Sequence, residues 1–136
     1  MIIKDFNTIV EGKVSAPALK SDIPLSFWGG VRAATGMIED IHNPLCGENL
    51  TGKVLCVPYD RGSCSSSGVM LEMIRKGTNP AAIVCIEAEA VLALGPIIGN
   101  SMYGTTIAMR TISEKLFYEL PENCTITFTD DAIIID

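Results

Sequence analysis

Val54-Leu55-Cys56-Val57, Tyr59-Asp60-Arg61-Gly62-Ser63-Cys64-Ser65-Ser66-Ser67-Gly68, Val69-Met70-Leu71-Glu72-Met73-Ile74-Arg75-Lys76-Gly77 and Ala81-Ala82-Ile83-Val84-Cys85-Ile86 follow one another in a single stretch of the chain. The first is a short apolar run ended by Pro58 and reads as a buried strand. The third reads as a helix: Met70, Met73 and Ile74 share a face, Arg75 and Lys76 occupy the last turn, and Gly77 suits the position just past the end. Asn79-Pro80 is a turn, and Ala81 to Ile86 is a second buried strand. Strand, helix and strand within about 30 residues predict a right-handed βαβ unit.

The ten residues from Tyr59 to Gly68 therefore lie between a strand and a helix N-terminus. Such an end exposes unpaired N–H groups and the positive end of the helix dipole. Gly62 and Gly68 allow close approach of backbone to a ligand. Ser63, Ser65, Ser66 and Ser67 add hydroxyls, and Arg61 adds a fixed positive charge. This set suits a carboxylate or a phosphate. One N-cap accounts for a single serine, and four exceed that need. Two named motifs fail here. Gly62 and Gly68 are wrongly spaced for a P-loop, and Val69 stands where its Lys should be. A nucleophile elbow fails because Cys64 and Ser66 break the required pattern.

Outward from this unit, the first third of the chain is rich in turn formers from Gly12 to Gly52. That spacing favours short β segments, with an early strand within Asn7 to Val14. On the other side, Ala88 to Leu94 reads as a short helix closed by Gly95-Pro96, and Thr106 to Met109 as a strand. Thr111-Ile112-Ser113-Glu114 has the form of a capping box, starting a helix that runs to about Leu120. Thr125 to Thr129 alternates with period two and reads as a half-buried strand. Asp130-Asp131 turns the chain so that Ala132 to Ile135 pairs back. The expected class is α/β, one domain over 1–136, β-rich in its first part and α/β in its second.

Composition bounds the function. The chain has 136 residues, 48% hydrophobic and 19% charged, enough apolar content for a real core. Its net charge is −6, and its ten basic residues are scattered, which argues against a nucleic-acid partner. No apolar run approaches the roughly 20 residues of a membrane span. Met1 to Asp5 does not open a secretory signal, so the expected location is the cytoplasm, with reduced thiols. The five cysteines contain no C-x-x-C pair, so no self-contained zinc or iron–sulfur site is expected. Cys56 and Cys85 read as core residues.

The chemistry-bearing candidates follow. Ser63 can act as a base if N–H donors at a helix start and a nearby Arg stabilise its alkoxide. Cys64 as a nucleophile would need a base, and His42, the lone His, sits in a turn and reads as a surface or structural residue. Ser26-Phe27-Trp28-Gly29-Gly30-Val31 holds the only Trp; it is either a core aromatic beside a tight turn or a loop packed near ligand or partner. Glu87 and Glu89 follow a buried strand, where α/β sheets bind ligands, but read first as helix-dipole partners.

Taken together, Ser26 to Val31, Thr35-Gly36, His42-Asn43-Pro44-Leu45-Cys46-Gly47, Gly52-Lys53-Val54-Leu55, Arg61 to Gly68, Pro80-Ala81-Ala82-Ile83, Glu87 and Leu94-Gly95 resemble the small swivelling-domain component of aconitase X. The resemblance covers nearly the whole chain. It implies a swivelling β/β/α domain and a hydro-lyase acting on a small carboxylate-bearing substrate. In the wider superfamily a serine of this loop takes the proton, and Ser63 matches it. Cys64 stands where that superfamily has a second Ser, and Ser65 where it has an Arg. Substrate contacts are expected from Arg61, Gly62, Cys64, Ser65 and Ser66, with Trp28 and Gly29.

The resemblance also implies an iron–sulfur cluster in a separate large subunit, no metal or cofactor bound by this chain alone, and a site completed between the two. Arg61 to Gly68 looks more like the cis-3-hydroxy-L-proline dehydratase branch. The alternatives are a phosphomevalonate dehydratase small subunit and a non-catalytic anion-binding module of the same fold.

Overall fold

The computed structural model describes residues 1–25, 29–59, 66–86, 97 and 107–136. In chain order the strands are β1 (Ile2–Ile3), β2 (Asn7–Val10), β3 (Val14–Lys20), β4 (Val31–Arg32), β5 (Met37–Ile38), β6 (Val54–Cys56), β7 (Ala82–Cys85), β8 (Ala108–Thr111), β9 (Thr125–Phe128) and β10 (Ile133–Ile135). The helices whose bounds fall within the described residues are α1 (Ser66–Lys76), between β6 and β7, and α2 (Glu114–Glu119), between β8 and β9.

Eight strands form one mixed sheet in the order β1-β10-β9-β3-β6-β7-β8-β2, and β4 with β5 forms a separate hairpin. β3, β6, β7 and β8 run parallel, with antiparallel strands on both flanks. The expected βαβ unit is present as β6–α1–β7. These central strands are continuously apolar, as expected for strands buried on both faces.

Alternation sorts their side chains. Leu55, Ile83, Cys85 and Met109 face one cluster together with Met70, Met73 and Ile74 of α1 and with Leu25, Ile38 and Leu50. Val54, Cys56, Ala82, Val84 and Ala108 face the other, with Phe117, Leu120, Ile126, Phe128, Ile133 and Ile135. Each fully buried large side chain contributes roughly 1.5–3 kcal/mol through loss of apolar surface from water.

α1 ends as its sequence predicts. Gly77 adopts φ +75°. Its N–H donates to Ile74 O at 3.2 Å, and that of Thr78 to Met73 O at 2.9 Å. This paired Schellman arrangement satisfies two of the helix's free carbonyls.

The early strand expected within Asn7 to Val14 is β2, which ends at Val10, and β3 begins at Val14. Two expectations needed correction. β3 runs straight through Pro17, which the sequence marks as a turn former. The N–H of Ala18 donates to Cys124 O on the β9 side. By alternation, position 17 aims its missing donor toward β6, and pairing with β6 starts only at Ala18. Finally, the cap of α2 is Ser113, whose side chain accepts from the N–H of Leu116. Thr111 belongs to β8, so Glu114 opens the helix and no reciprocal capping box forms.

The sheet curves enough for β8 to reach the β9–β10 turn. Arg110, 4% exposed, donates to Ala132 O and Thr129 O. Its guanidinium lies between the rings of Phe6 and Phe128, at 4.3 and 4.5 Å from their centroids. Hydrogen bonds and two cation–π contacts offset the desolvation of a buried charge.

Candidate active site at the carboxyl ends of the parallel strands

The four parallel strands end nearly level. Lys20 pairs with Cys56, Cys56 with Val84, and Val84 with Arg110. Beyond the ladder, Ser21 N–H donates to Cys56 O, Val57 N–H to Val84 O, Ile86 N–H to Pro58 O and Ile112 N–H to Cys85 O. The chain then leaves β6 through Tyr59 toward residues 60–65, and β7 through Ile86 toward residues 87–96. This is the end of an open α/β sheet where ligands bind.

Arg61, Gly62, Ser63, Cys64, Ser65, Trp28, Glu87 and Glu89, together with the helix expected over Ala88 to Leu94, lie outside the described residues. Of the expected contacts, Ser66 is the first residue of α1, and Gly29 adopts φ +75° with open space where a Cβ would stand. The first turn of α1 carries no acidic side chain, so its N–H groups are not neutralised by the helix itself. The serine-rich stretch thus runs directly into the N-terminus of α1.

Two buried polar residues position the neighbouring segment. The Ser21 hydroxyl donates to Ile23 O and accepts from Ile23 N–H. Asn43, 3% exposed, donates through Nδ2 to Ile23 O and Pro24 O and accepts at Oδ1 from Leu45 N–H. Together they fix the backbone that leads from β3 into residues 26–28. Sequence reasoning gave Asn43 no such role; the signal available was Asn before Pro, a turn-forming pair whose amide can bond nearby backbone. His42 is exposed, in keeping with a surface residue.

Gly36, in the Thr35-Gly36 segment, is structural. It adopts φ +78°, and an added Cβ would collide with Thr51 Oγ1 and lie 2.9 Å from Asn49 Oδ1 and from Thr78 O. This locks the β4–β5 hairpin against the loop before β6.

The cysteines divide by environment. Burial pushes the Cys85 thiol up to about 12 and raises Cys56 further still. Cys124 is half-buried and also raised by burial, whereas Cys46 is exposed and not a core residue. Cys56 and Cys85 face opposite clusters of the sheet. Their thiols cannot converge on one iron–sulfur cluster, and no metal-ligating group of three occurs among the described residues. Among those residues, no helix is long and apolar enough to cross a membrane.

A family model for the aconitase X swivel domain matches residues 4–136. The chain belongs to that family. The crystal structure of Thermococcus kodakaraensis aconitase X in its holo-form superposes with a TM-score of 0.86 at 28% identity, covering 97% of this chain and 96% of that one. The α/β architecture derived above is therefore the aconitase X swivel fold.

The cis-3-hydroxy-L-proline dehydratase of Hypocrea jecorina is 40% identical over 111 residues, which are 82% of this chain and 19% of that protein. The chain thus spans about a fifth of such dehydratases. The phosphomevalonate dehydratase small subunit of Methanopyrus kandleri is 48% identical over 91 residues, 67% of each chain. That of Methanothermobacter thermautotrophicus is 44% identical over 96 residues, 71% of this chain and 73% of the relative.

Proposed function

We propose that this swivel domain is the small subunit of an aconitase X-type hydro-lyase that dehydrates a small hydroxy carboxylate together with a large iron–sulfur subunit. The observation that carries the reading is the match to the aconitase X swivel family over residues 4–136, with the serine stretch set between β6 and α1.

Ser63 is the base in this reading. It takes the proton from the carbon next to the electron-withdrawing group of the substrate; that electron pair forms the C=C bond as the C–O bond to the neighbouring carbon breaks, and the leaving hydroxide is protonated to water as Ser63 gives its proton up and returns to the alkoxide. N–H groups at the start of α1 and the Arg61 guanidinium lower the cost of the Ser63 alkoxide. Arg61, Gly62, Cys64, Ser65, Ser66, Trp28 and Gly29 bind and orient the substrate. In this reading the iron–sulfur cluster is held by the large subunit; Cys56 and Cys85 of this chain face opposite clusters of the sheet and would not hold one together.

The substrate of choice is cis-3-hydroxy-L-proline, on the form of Arg61 to Gly68 and the relative that matches 82% of the chain. A second reading, 5-phosphomevalonate, is favoured by 48% identity to a phosphomevalonate dehydratase small subunit. Co-expression with the large aconitase X-type subunit of the same organism, followed by anaerobic assay on each compound separately, decides between them. Turnover of cis-3-hydroxy-L-proline alone supports the first reading and turnover of 5-phosphomevalonate alone the second. An intact cluster-containing complex that dehydrates neither contradicts both substrates.

A further inference from the structure

Eight large hydrophobic residues are exposed among those described, and four of them, Ile23, Ile41, Tyr59 and Tyr118, belong to segments tied together at one end of the sheet. Lys20 Nζ, on a side chain only 5% exposed, donates to Leu120 O and pairs with Asp22, which joins the end of α2 to the end of β3. Ser21 N–H bonds Cys56 O, three residues before Tyr59. Asn43 bonds Ile23 O and Pro24 O, which sets the 40–43 turn, with Ile41 82% exposed, against Ile23. A shallow cavity lined by Lys20, Pro44, Leu45, Glu48, Glu122 and Asn123 continues the same surface. Exposed apolar residues scattered singly need no explanation, but a contiguous set rimmed by polar groups marks an interaction site.

We propose that this strip, Ile23–Ile41–Tyr59–Tyr118, is the face on which the large dehydratase subunit docks. The proposal rests on the hydro-lyase reading above and adds the surface that the partner covers. Three observations select that occupant. The strip borders the carboxyl ends of β3 and β6, the end of an open α/β sheet where ligands bind. In the hydroxyproline dehydratase relatives the region matching this chain is 19% of one long polypeptide, so the homologous domain there is joined to a much larger remainder. The exposed carboxylates at the rim, Asp22, Glu48, Glu119 and Glu122, surround a lysine whose charge is already held. The complementary patch is thus apolar at its centre, with Lys and Arg at its rim. Tyrosine and large aliphatic side chains suit the dry centre of such an interface, and rim charges steer association.

The test is the affinity of this chain for the large subunit in the reconstituted complex. Ile41→Asp combined with Ile23→Asp is expected to raise Kd by more than about tenfold, in the range of a lost interface anchor. Ile2→Asp, at the exposed β1 edge, is the control and leaves Kd unchanged. Hydrogen exchange needs no variant: amides of 22, 23, 41–43 and 118–120 slow on complex formation. A wild-type complex that forms and turns over, with Kd unaltered by the double variant and no protection in these segments, overturns the docking face and leaves the hydro-lyase reading standing. A wild-type chain that does not bind the large subunit overturns both.

Discussion

On one face of the sheet, Met70, Met73 and Ile74 of α1 share a core with Leu55, Ile83 and Met109 and with Leu25, Ile38 and Leu50 from the long β3–β6 connection. On the other, Phe117 and Leu120 join Val54, Val84, Ile126 and Phe128, and Arg110 closes the margin against the β9–β10 turn. The first face is roofed by the same segments that lead into residues 26–28 and 60–65. The second is roofed by antiparallel strands, by α2 and by a buried cation. Damage to the second face is therefore expected in stability, whereas damage to the first reaches the candidate site as well.

Arg110→Ala tests the second face most severely. It removes the donor to Thr129 O and one of the donors to Ala132 O and opens space between two rings. A cost of about 3–5 kcal/mol is expected in urea unfolding, from the lost hydrogen bonds and the cavity left between the rings. KM of the complex that still assembles should stay unchanged. A shift in KM at unaltered stability would reverse the roles assigned to the faces.

Gly36→Ala comes next. Positive φ and overlap with Thr51, Asn49 and Thr78 together cost about 2–4 kcal/mol, read as a lowered denaturation midpoint. Asn43→Ala removes three hydrogen bonds inside the first face and costs about 1–3 kcal/mol. Because Asn43 holds the backbone before residues 26–28, KM should also rise, which Arg110→Ala should not cause.

The last effect is absent at neutral pH and emerges only in alkali. The Cys85 thiol, raised from 9.0 to about 12 by burial, keeps its proton more tightly folded than unfolded. Its contribution to stability is full below about 9 and is lost as pH rises from there toward 12. Thermal melts across that range should fall more steeply for wild type than for Cys85→Ala. A thiol reagent at pH 8 should modify exposed Cys46 at once, and Cys56 and Cys85 only after unfolding.

The β6–α1–β7 unit was legible because its signals agree: two apolar runs, one amphipathic turn pattern and a terminal glycine. β9 and β10 were legible by alternation and an Asp-Asp turn. β3 was not, because Pro17 looks like a breaker until its missing donor is seen to fall where no partner strand yet pairs. The cap at Ser113 was misplaced by two residues, since a Thr four positions before the helix's second residue mimics a box when strand ends are unknown. Arg110 carries no local pattern and Asn43 only the Asn-Pro turn signal; the donors of both side chains reach carbonyls about 20 residues away. For the site, the sequence located the stretch between β6 and α1, and the structure adds level strand ends and a helix start with no acidic side chain in its first turn.

The central claim is that Ser63 is the catalytic base of a two-subunit hydro-lyase, and turnover by the reconstituted complex carrying Ser63→Ala tests it directly. The account predicts a fall in kcat of about 10²–10⁴-fold, the range of a lost general base, with melting temperature and subunit affinity unchanged. Near-wild-type turnover by that complex would contradict it.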